Sequence, residues 1–260
     1  MTLELPAVWL INYALLLTRC LGLAVFLPVP GVQTALPMTK VALGVALAAA
    51  LAPLAVAGPG AEALASPAAP WEMLRWMASE AALGFGMGCS MRVALEAFGL
   101  AAQALGFQAG FSYVNMVDPT SQVDASILNV AFALLANLLF FAFDLHLFLI
   151  RAMARSAEIW PLGSYAPPEG AAEAMVRLGG VMFDVGVRLS LPVIAALLLI
   201  DLTLGLLNQV NPRMQLLTLA FPIKIVAGLV VLIPMLGSAT RVFRYLAEQA
   251  GEVVTGLLAR

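Results

Sequence analysis

Long apolar stretches follow one another along almost the whole chain, and they restrict its fold more than any other feature. Of the 260 residues, 62% are hydrophobic and only 11% are charged, and the mean hydropathy is +0.98. Soluble domains have about 45–50% apolar and about 25% charged residues. One globular core cannot hide this excess of apolar surface, so lipid or a larger apolar assembly must cover it. The sequence therefore predicts an all-α polytopic membrane protein.

The apolar runs divide this single integral-membrane domain, residues 1–260, into candidate spans. A helix of about 20 residues crosses a hydrocarbon core about 30 Å thick. The expected spans cover residues 8–27, 39–56, 125–150, 175–207 and 216–236, and an amphipathic tail covers 241–260. The span over 175–207 is long for one crossing, so Pro192 is expected to kink it or to split it into two arms.

Residues 72–123 are interpreted as a helical hairpin that enters and returns on one side of the membrane, with its turn near residues 97–106. This topology places most basic residues on one side, as the positive-inside tendency requires, with Arg213 as the exception. The residues placed inside are Lys40, Arg151, Arg155 and the arginines after residue 240. The hairpin leads into an irregular segment, and irregular backbone at membrane depth needs protein or water around it. The hairpin therefore implies a protein-lined lumen.

The segment from Gly106 to Val123 differs in composition from the runs around it. Its sequence is GFQAGFSYVNMVDPTSQV, with aromatic residues, hydroxyl groups and glycines but no Leu, Lys or Arg. Bulky, deformable apolar groups can close a pore by excluding water, and glycines allow the backbone to bend. The candidate gate residues are Gly106, Phe107, Gln108, Gly110, Phe111, Ser112, Tyr113, Met116, Asp118 and Pro119. Residue chemistry alone leaves a gate and an ordinary loop as equal alternatives.

Two further patterns predict structural roles inside the apolar runs. Gly84 and Gly88 are four residues apart and indicate a face where helices pack closely. Polar side chains within spans are costly in lipid, so they are expected to face protein and to find partners. The predicted buried polar residues are Arg19, Asp184, Arg188, Asp201, Asn208 and Lys224. Asp201 is expected to pair with a basic residue such as Arg19, Arg188 or Lys224.

Several function classes find no support in the sequence. There is no recognisable set of catalytic residues, and His146 is the only histidine, which excludes a multi-histidine metal site within the chain. The glycines at 84, 86 and 88 do not form a nucleotide-binding loop, since Cys89 stands where a third glycine would be needed. No Lys/Arg cluster indicates nucleic-acid binding. We therefore expect neither an enzyme nor a cofactor or metal site.

Short motifs in order along the chain resemble one known family. The run Gly106–Tyr113 followed by Val117-Asp118-Pro119 resembles a "GxQxGxS-aromatic…VDP" segment of that family. Residues 143–149 around His146 are similar to its "NGHLWL" segment, and Leu204–Asn208 with Pro212 and Phe221-Pro222 to its "LGLLNR…P…GFP" segment. The family is the FliR/SctT family of type III secretion export-apparatus membrane proteins. The resemblance extends over nearly the whole chain.

This resemblance implies a non-enzymatic core subunit of the flagellar export gate in the bacterial inner membrane, at the flagellar basal body. It implies a helical assembly with FliP-like and FliQ-like membrane subunits and an FlhB-like export switch protein, embedded in membrane lipid. The implied cargo is unfolded flagellar proteins. Residues 106–123 would then be a plug that closes the channel. Asp144 and Asp201 depart from the family pattern, in which Asn is usual at both positions.

Two alternatives remain from the sequence. The same type of subunit serves virulence injectisomes, although the loop that contains Val117-Asp118-Pro119 favours the flagellar branch. A secondary transporter belongs to a different class, and such folds often show internal repeats with broken helices in matching positions. The two halves of this chain show no convincing repeat.

Overall fold

A computed structural model describes residues 7–27, 37–56, 70–109, 127–210 and 216–259. All regular secondary structure in these ranges is helical, which confirms the predicted all-α class. The helices are α1 (Ala7–Phe26), α2 (Pro37–Val56), α3 (Pro70–Gln108), α4 (Ile127–Ala142), α5 (Leu145–Ile159), α6 (Ala171–Val210) and α7 (Leu216–Leu258). Proline begins α2 and α3, where the absent N–H group would have no partner within the helix in any case.

Within these ranges, two helices are long and apolar enough to cross a membrane. They are Trp9–Phe26 in α1 and the whole of α6. A third crossing is possible if α4 and α5 act as one span, although the axes of this pair differ by 57°. The apolar part of α2, Met38–Pro53, is shorter. The chain is thus a polytopic membrane protein by length and composition of its helices.

The expected turn near residues 97–106 is wrong, because α3 continues without a break to Gln108. No proline interrupts the sequence between Pro70 and Pro119. Apolar residues recur at the three- and four-residue spacing of one helix face and are buried there: Phe98, Ala101, Ala102, Leu105 and Ala109. Burial of this face favours the helix over the turn that the charge distribution suggested. A return arm of the hairpin would fall after Ala109, in residues 110–126, which lie outside the described ranges.

Three other expected spans can be compared with the helices. The expected span over 125–150 is interrupted at Phe143 and Asp144, between α4 and α5. At Pro192, α6 remains one helix of 40 residues, so the expected split is wrong and the expected kink stays a prediction. From the last expected span, α7 continues as one helix into the expected amphipathic tail. Hydropathy separates apolar from polar stretches, but a helix can continue through such a change.

The helices contribute to two compact units with their own buried residues. The first unit comprises Met1–Ala94, Phe140–Gly179 and Ala247–Arg260, and the second Leu95–Leu139 and Gly180–Leu246. In the first, the fully buried apolar residues include Leu16, Leu83, Met87 and Leu149. In the second, the rings of Phe98 and Phe243 pack with centroids 5.9 Å apart.

Glycines allow the backbones of α1 and α3 to approach each other in the first unit. A Cβ atom on Gly84 would clash with the carbonyl oxygen of Arg19, and one on Gly88 would lie 2.8 Å from the carbonyl oxygen of Leu23. In the reciprocal approach, a Cβ atom on Gly22 would lie 2.8 Å from the carbonyl oxygen of Ala81. This is the close contact that small residues permit between membrane helices.

We predict that Gly84→Ala destabilises the protein, because the added methyl group must push α1 away from α3. Inserting a carbon into such a contact costs about 1–3 kcal/mol. Thermal unfolding of the detergent-solubilised protein measures the effect. Gly179→Ala is the matched control, since a Cβ on Gly179 meets nothing within 4 Å and alanine favours helix by up to about 1 kcal/mol. Equal melting temperatures for the two variants would contradict the prediction.

Candidate functional site

The candidate gate begins on the last turn of α3. Gly106, Phe107 and Gln108 are helical rather than part of a loop. Gly106 is buried and Gln108 is half-buried, whereas the Phe107 side chain is 71% exposed. The other candidate gate residues lie outside the described ranges: Gly110, Phe111, Ser112, Tyr113, Met116, Asp118 and Pro119. The structure therefore shows the anchor of the segment and one of its bulky side chains.

An ion pair lies beside this anchor in the second unit. Nζ of Lys224 on α7 is 2.5 Å from Oδ1 of Asp201 on α6. Nε2 of Gln108 donates a hydrogen bond of 3.1 Å to the other carboxylate oxygen, Oδ2. Of the partners that the sequence offered for Asp201, the structure selects Lys224. The contact with Gln108 was not foreseen, because no sequence rule relates the end of one helix to residues about a hundred positions later.

Asp184, Arg188 and Asn208 are not buried within the chain, contrary to expectation. Arg188 Nε lies 2.8 Å from Asp184 Oδ1, but their side chains are 74% and 55% exposed, respectively. Asn208 is exposed near the end of α6. Asp184 and Arg188 are four residues apart, so they can pair along one helix without a contact from another element. This pair therefore does not link α6 to another helix.

Arg19 is the centre of a buried polar cluster in the first unit. Its Nε donates to Oε2 of Glu80 on α3, and both side chains are fully buried. Its Nη1 donates to Ser156 Oγ on α5 at 2.9 Å, and its Nη2 donates to the Trp160 carbonyl at 3.3 Å. The second oxygen of Glu80 accepts the Gly163 N–H at 2.8 Å. We call these five residues the Arg19 cluster.

Sequence reasoning found Arg19 but missed Glu80 as its partner. A signal was present, since both residues are embedded in apolar stretches where an unpaired charge would be costly. The partner proposed for Arg19 was Asp201, in a later span. Gly84, however, allows the short distance between α1 and α3 that brings Glu80 to Arg19. The glycine that permits the backbone approach lies one helical turn from Glu80, so the two features belong to one contact.

The connection after α5 contributes Trp160 and Gly163 to the Arg19 cluster and packs against it. Trp160 packs edge-on against Tyr165, with ring centroids 5.6 Å apart, and Trp160 Nε1 donates to the Leu258 carbonyl at 3.3 Å. Tyr165 is buried, and its burial raises the pKa of its hydroxyl, while the charge of Arg19 opposes that shift. Gly163 has a φ of 80°, which glycine adopts without strain. This conformation turns its N–H group toward Glu80.

The break between α4 and α5 depends on Asp144, whose φ of 55° and ψ of 26° are left-handed. Among non-glycine residues, Asn and Asp adopt this conformation most readily. Asp144 can therefore take the conformation of this break with little strain. His146 packs against Phe141 with ring centroids 5.0 Å apart, and its Nδ1 is buried with no hydrogen-bond partner among the described residues. Within the described ranges, no three His, Cys, Asp or Glu side chains cluster as metal ligands would.

Comparisons with known proteins agree with the motifs. The model of a family described as bacterial export proteins, family 1, matches residues 10–250. Relatives named flagellar biosynthetic protein FliR include one from Pectobacterium carotovorum subsp. carotovorum, 37% identical over 58% of both chains. The protein of that name from Escherichia coli K12 is 33% identical over 59% of both chains, and that from Bacillus subtilis 168 is 25% identical over 69% of this chain and 71% of the relative. The chain thus aligns with under two thirds of the length of the first two relatives.

We predict that breaking the Arg19 cluster destabilises the protein more than breaking an exposed pair. Arg19→Met or Glu80→Gln leaves a buried group without its partner, at a cost of about 3–5 kcal/mol. The double variant R19M/E80M removes both charges and should fold closer to wild type than either single variant. Unfolding of the solubilised protein in denaturant measures all three.

The exposed pair on α6 provides the control for this experiment. Arg188→Met should cost at most about 1 kcal/mol, because a pair four residues apart on one helix contributes little to stability. If R188M lowered the free energy of unfolding as much as R19M does, burial would not be what makes the Arg19 cluster important for stability.

We also predict that the left-handed backbone at Asp144 limits which residues fit there. Asp144→Gly and Asp144→Asn should retain wild-type stability, whereas Asp144→Val should lose about 1–2 kcal/mol, since a branched side chain resists this conformation. Melting temperature of the solubilised protein is the measurement. The control is Ala142→Val, at an exposed helical position nearby. It should lower the melting temperature less than Asp144→Val. A stable D144V protein would show that the break does not depend on this conformation.

Proposed function

The chain belongs to the family of bacterial export proteins, family 1, and on that premise we propose that it is a core subunit of the flagellar type III protein export gate. In this function it forms part of the channel in the bacterial inner membrane at the flagellar basal body. Its cargo is unfolded flagellar proteins. The observation that carries the proposal is the family match over residues 10–250. The names of the relatives, all flagellar biosynthetic protein FliR, support the flagellar branch over the injectisome alternative.

The exposed surface of α6 supports a place among other subunits. Along its second half many of the exposed side chains are large and apolar, including Leu198, Leu199, Leu202 and Leu206. Nearer its start, the charged pair Asp184–Arg188 is exposed on the same helix. Lipid suits the first surface but not charged groups at depth. Neighbouring membrane subunits, FliP-like and FliQ-like, would cover both, and an FlhB-like export switch protein would complete the assembly.

Residues 106–123 act in this proposal as the plug of the channel. Phe107, Phe111, Tyr113 and Met116 supply bulky apolar groups that exclude water and ions from the closed channel. Gly106 and Gly110 allow the segment to move when cargo passes, and Asp118-Pro119 ends it, since a residue before proline is disfavoured in helix. The support from the structure is that Phe107 projects from the end of α3 with most of its surface exposed.

We predict that replacing Phe107, Phe111, Tyr113 and Met116 together by alanine makes the membrane leak small ions and solutes. The four substitutions remove the bulk that closes the channel but keep the glycines and the length of the plug segment. Leak is measured as solute entry into cells, or into vesicles that contain the co-expressed complex, with co-purification of its subunits as the test of assembly.

The control is Phe183→Ala, which removes an aromatic side chain that is also exposed, but on α6. It should leave the membrane sealed. A quadruple variant that assembles and stays sealed would refute the plug. Co-purification of this chain with no other membrane subunit, together with solute transport by the chain alone, would refute the export gate and favour a transporter.

A further inference from the structure

Three side chains from three helices meet where α3 ends. Gln108 is the last residue of α3, Asp201 lies on α6, and Lys224 lies on α7. All three belong to the second compact unit. The carboxylate of Asp201 joins them, because each of its oxygens has a different partner: Oδ1 faces Lys224 Nζ at 2.5 Å, and Oδ2 accepts from Gln108 Nε2 at 3.1 Å.

The two contacts of Asp201 have distinct consequences. The ammonium group fixes the position of the carboxylate by charge, which a partly buried pair does more strongly than an exposed one. Lys224 is 16% exposed and Asp201 36% exposed. A carboxylate held in this way presents its second oxygen to Gln108, and a hydrogen bond to a charged acceptor is stronger than one between neutral groups.

We propose that the Asp201–Lys224 pair is a positioning latch that holds Gln108 and thereby fixes the point from which the plug segment starts. Ala109 follows Gln108, is 4% exposed and donates its N–H to the Leu105 carbonyl at 2.8 Å. The latch keeps this last turn closed. Its role in sealing the channel rests on the proposed function of residues 106–123 as a plug, whereas the anchoring of Gln108 does not.

The latch differs from the other ion pair on α6. Asp184 and Arg188 are four residues apart on one helix, with both side chains largely exposed. Their ion pair links two positions within α6 only. Asp201 instead connects α6 to α7 and to the end of α3. The same substitution at Asp184 and at Asp201 therefore removes one carboxylate from the same helix, but only the second removes a link between helices.

Thiol labelling at position 109 tests the anchoring directly in the co-expressed complex. The chain carries Ala109→Cys with its own cysteines replaced, Cys20→Ala and Cys89→Ala. A water-soluble maleimide reacts slowly with a buried thiol. In Asp201→Leu and in Lys224→Met, we expect the rate at position 109 to rise about tenfold, which corresponds to about 1.4 kcal/mol less protection. Asp184→Leu is the control and should leave the rate unchanged.

The exchanged pair D201K/K224D separates a latch from a general effect on folding. It restores opposite charges in the same two places, so the labelling rate should return toward that of the parent. An unchanged rate in D201L and K224M overturns the proposal, as does an equal increase in D184L or a failure of the exchanged pair to restore protection. If D201L does not co-purify with its partners, Asp201→Asn replaces it as an isosteric, uncharged variant, and labelling of D201N at the parental rate overturns the proposal.

Solute leak from the same membranes shows whether the latch acts on the plug. D201L and K224M should leak, and the exchanged pair should leak less than either. Faster labelling without leak overturns the role of the latch in sealing. The alanine variant of Phe107, Phe111, Tyr113 and Met116 serves as the reference: if that variant stays sealed, the plug itself is refuted, and the labelling rates alone decide whether Gln108 is anchored.

Discussion

The pairing of Arg19 with Glu80 sets conditions that much of the first unit has to satisfy. Two charges removed from water destabilise a fold unless each finds a close partner and its remaining donors and acceptors are also bonded. Arg19 meets this requirement through Ser156 and the Trp160 carbonyl, and Glu80 through the Gly163 N–H group. All three contacts come from the end of α5 and the connection that follows it. The position of α5 and the shape of the connection after it therefore follow from the need to complete the pair.

Small residues make the same contact sterically possible. The carbonyl oxygen of Arg19 lies so close to Gly84 that no side chain would fit there. In a membrane, apolar side chains gain little from leaving lipid for protein, so close backbone packing and internal hydrogen bonds contribute more to helix association than in water. Gly84 provides the close backbone packing, and the Arg19–Glu80 pair provides the internal hydrogen bond. An arginine in the middle of an apolar helix is in this case a sign of a neighbouring helix at short distance.

The sequence predicted the helical class and the positions of α1 and α2, because apolar stretches in a membrane leave few structures other than helices. It misplaced boundaries that depend on single residues. The break at Asp144 depends on one left-handed backbone conformation, whereas α3 continues past Gly99 and Gly106 because one of its faces is buried through Ala109. Asp201 was expected to have a basic partner, but choosing Lys224 over Arg19 or Arg188 required coordinates. Arg19 pairs with Glu80, and Arg188 pairs with Asp184 on its own helix. Of the three candidates, Lys224 is therefore the one that pairs with Asp201.

The continuation of α3 to Gln108 also changes what the gate segment can be. A turn near residues 97–106 would have made residues 106–108 part of a flexible loop, with every bulky side chain free to move. In a helix the side chain directions are fixed relative to one another, so Phe107 and Gln108 point to different sides of the last turn. Phe107 is exposed, and Gln108 reaches the carboxylate of Asp201. The plug proposed for residues 106–123 would therefore start from a fixed helical turn, with Phe107 as its first bulky side chain.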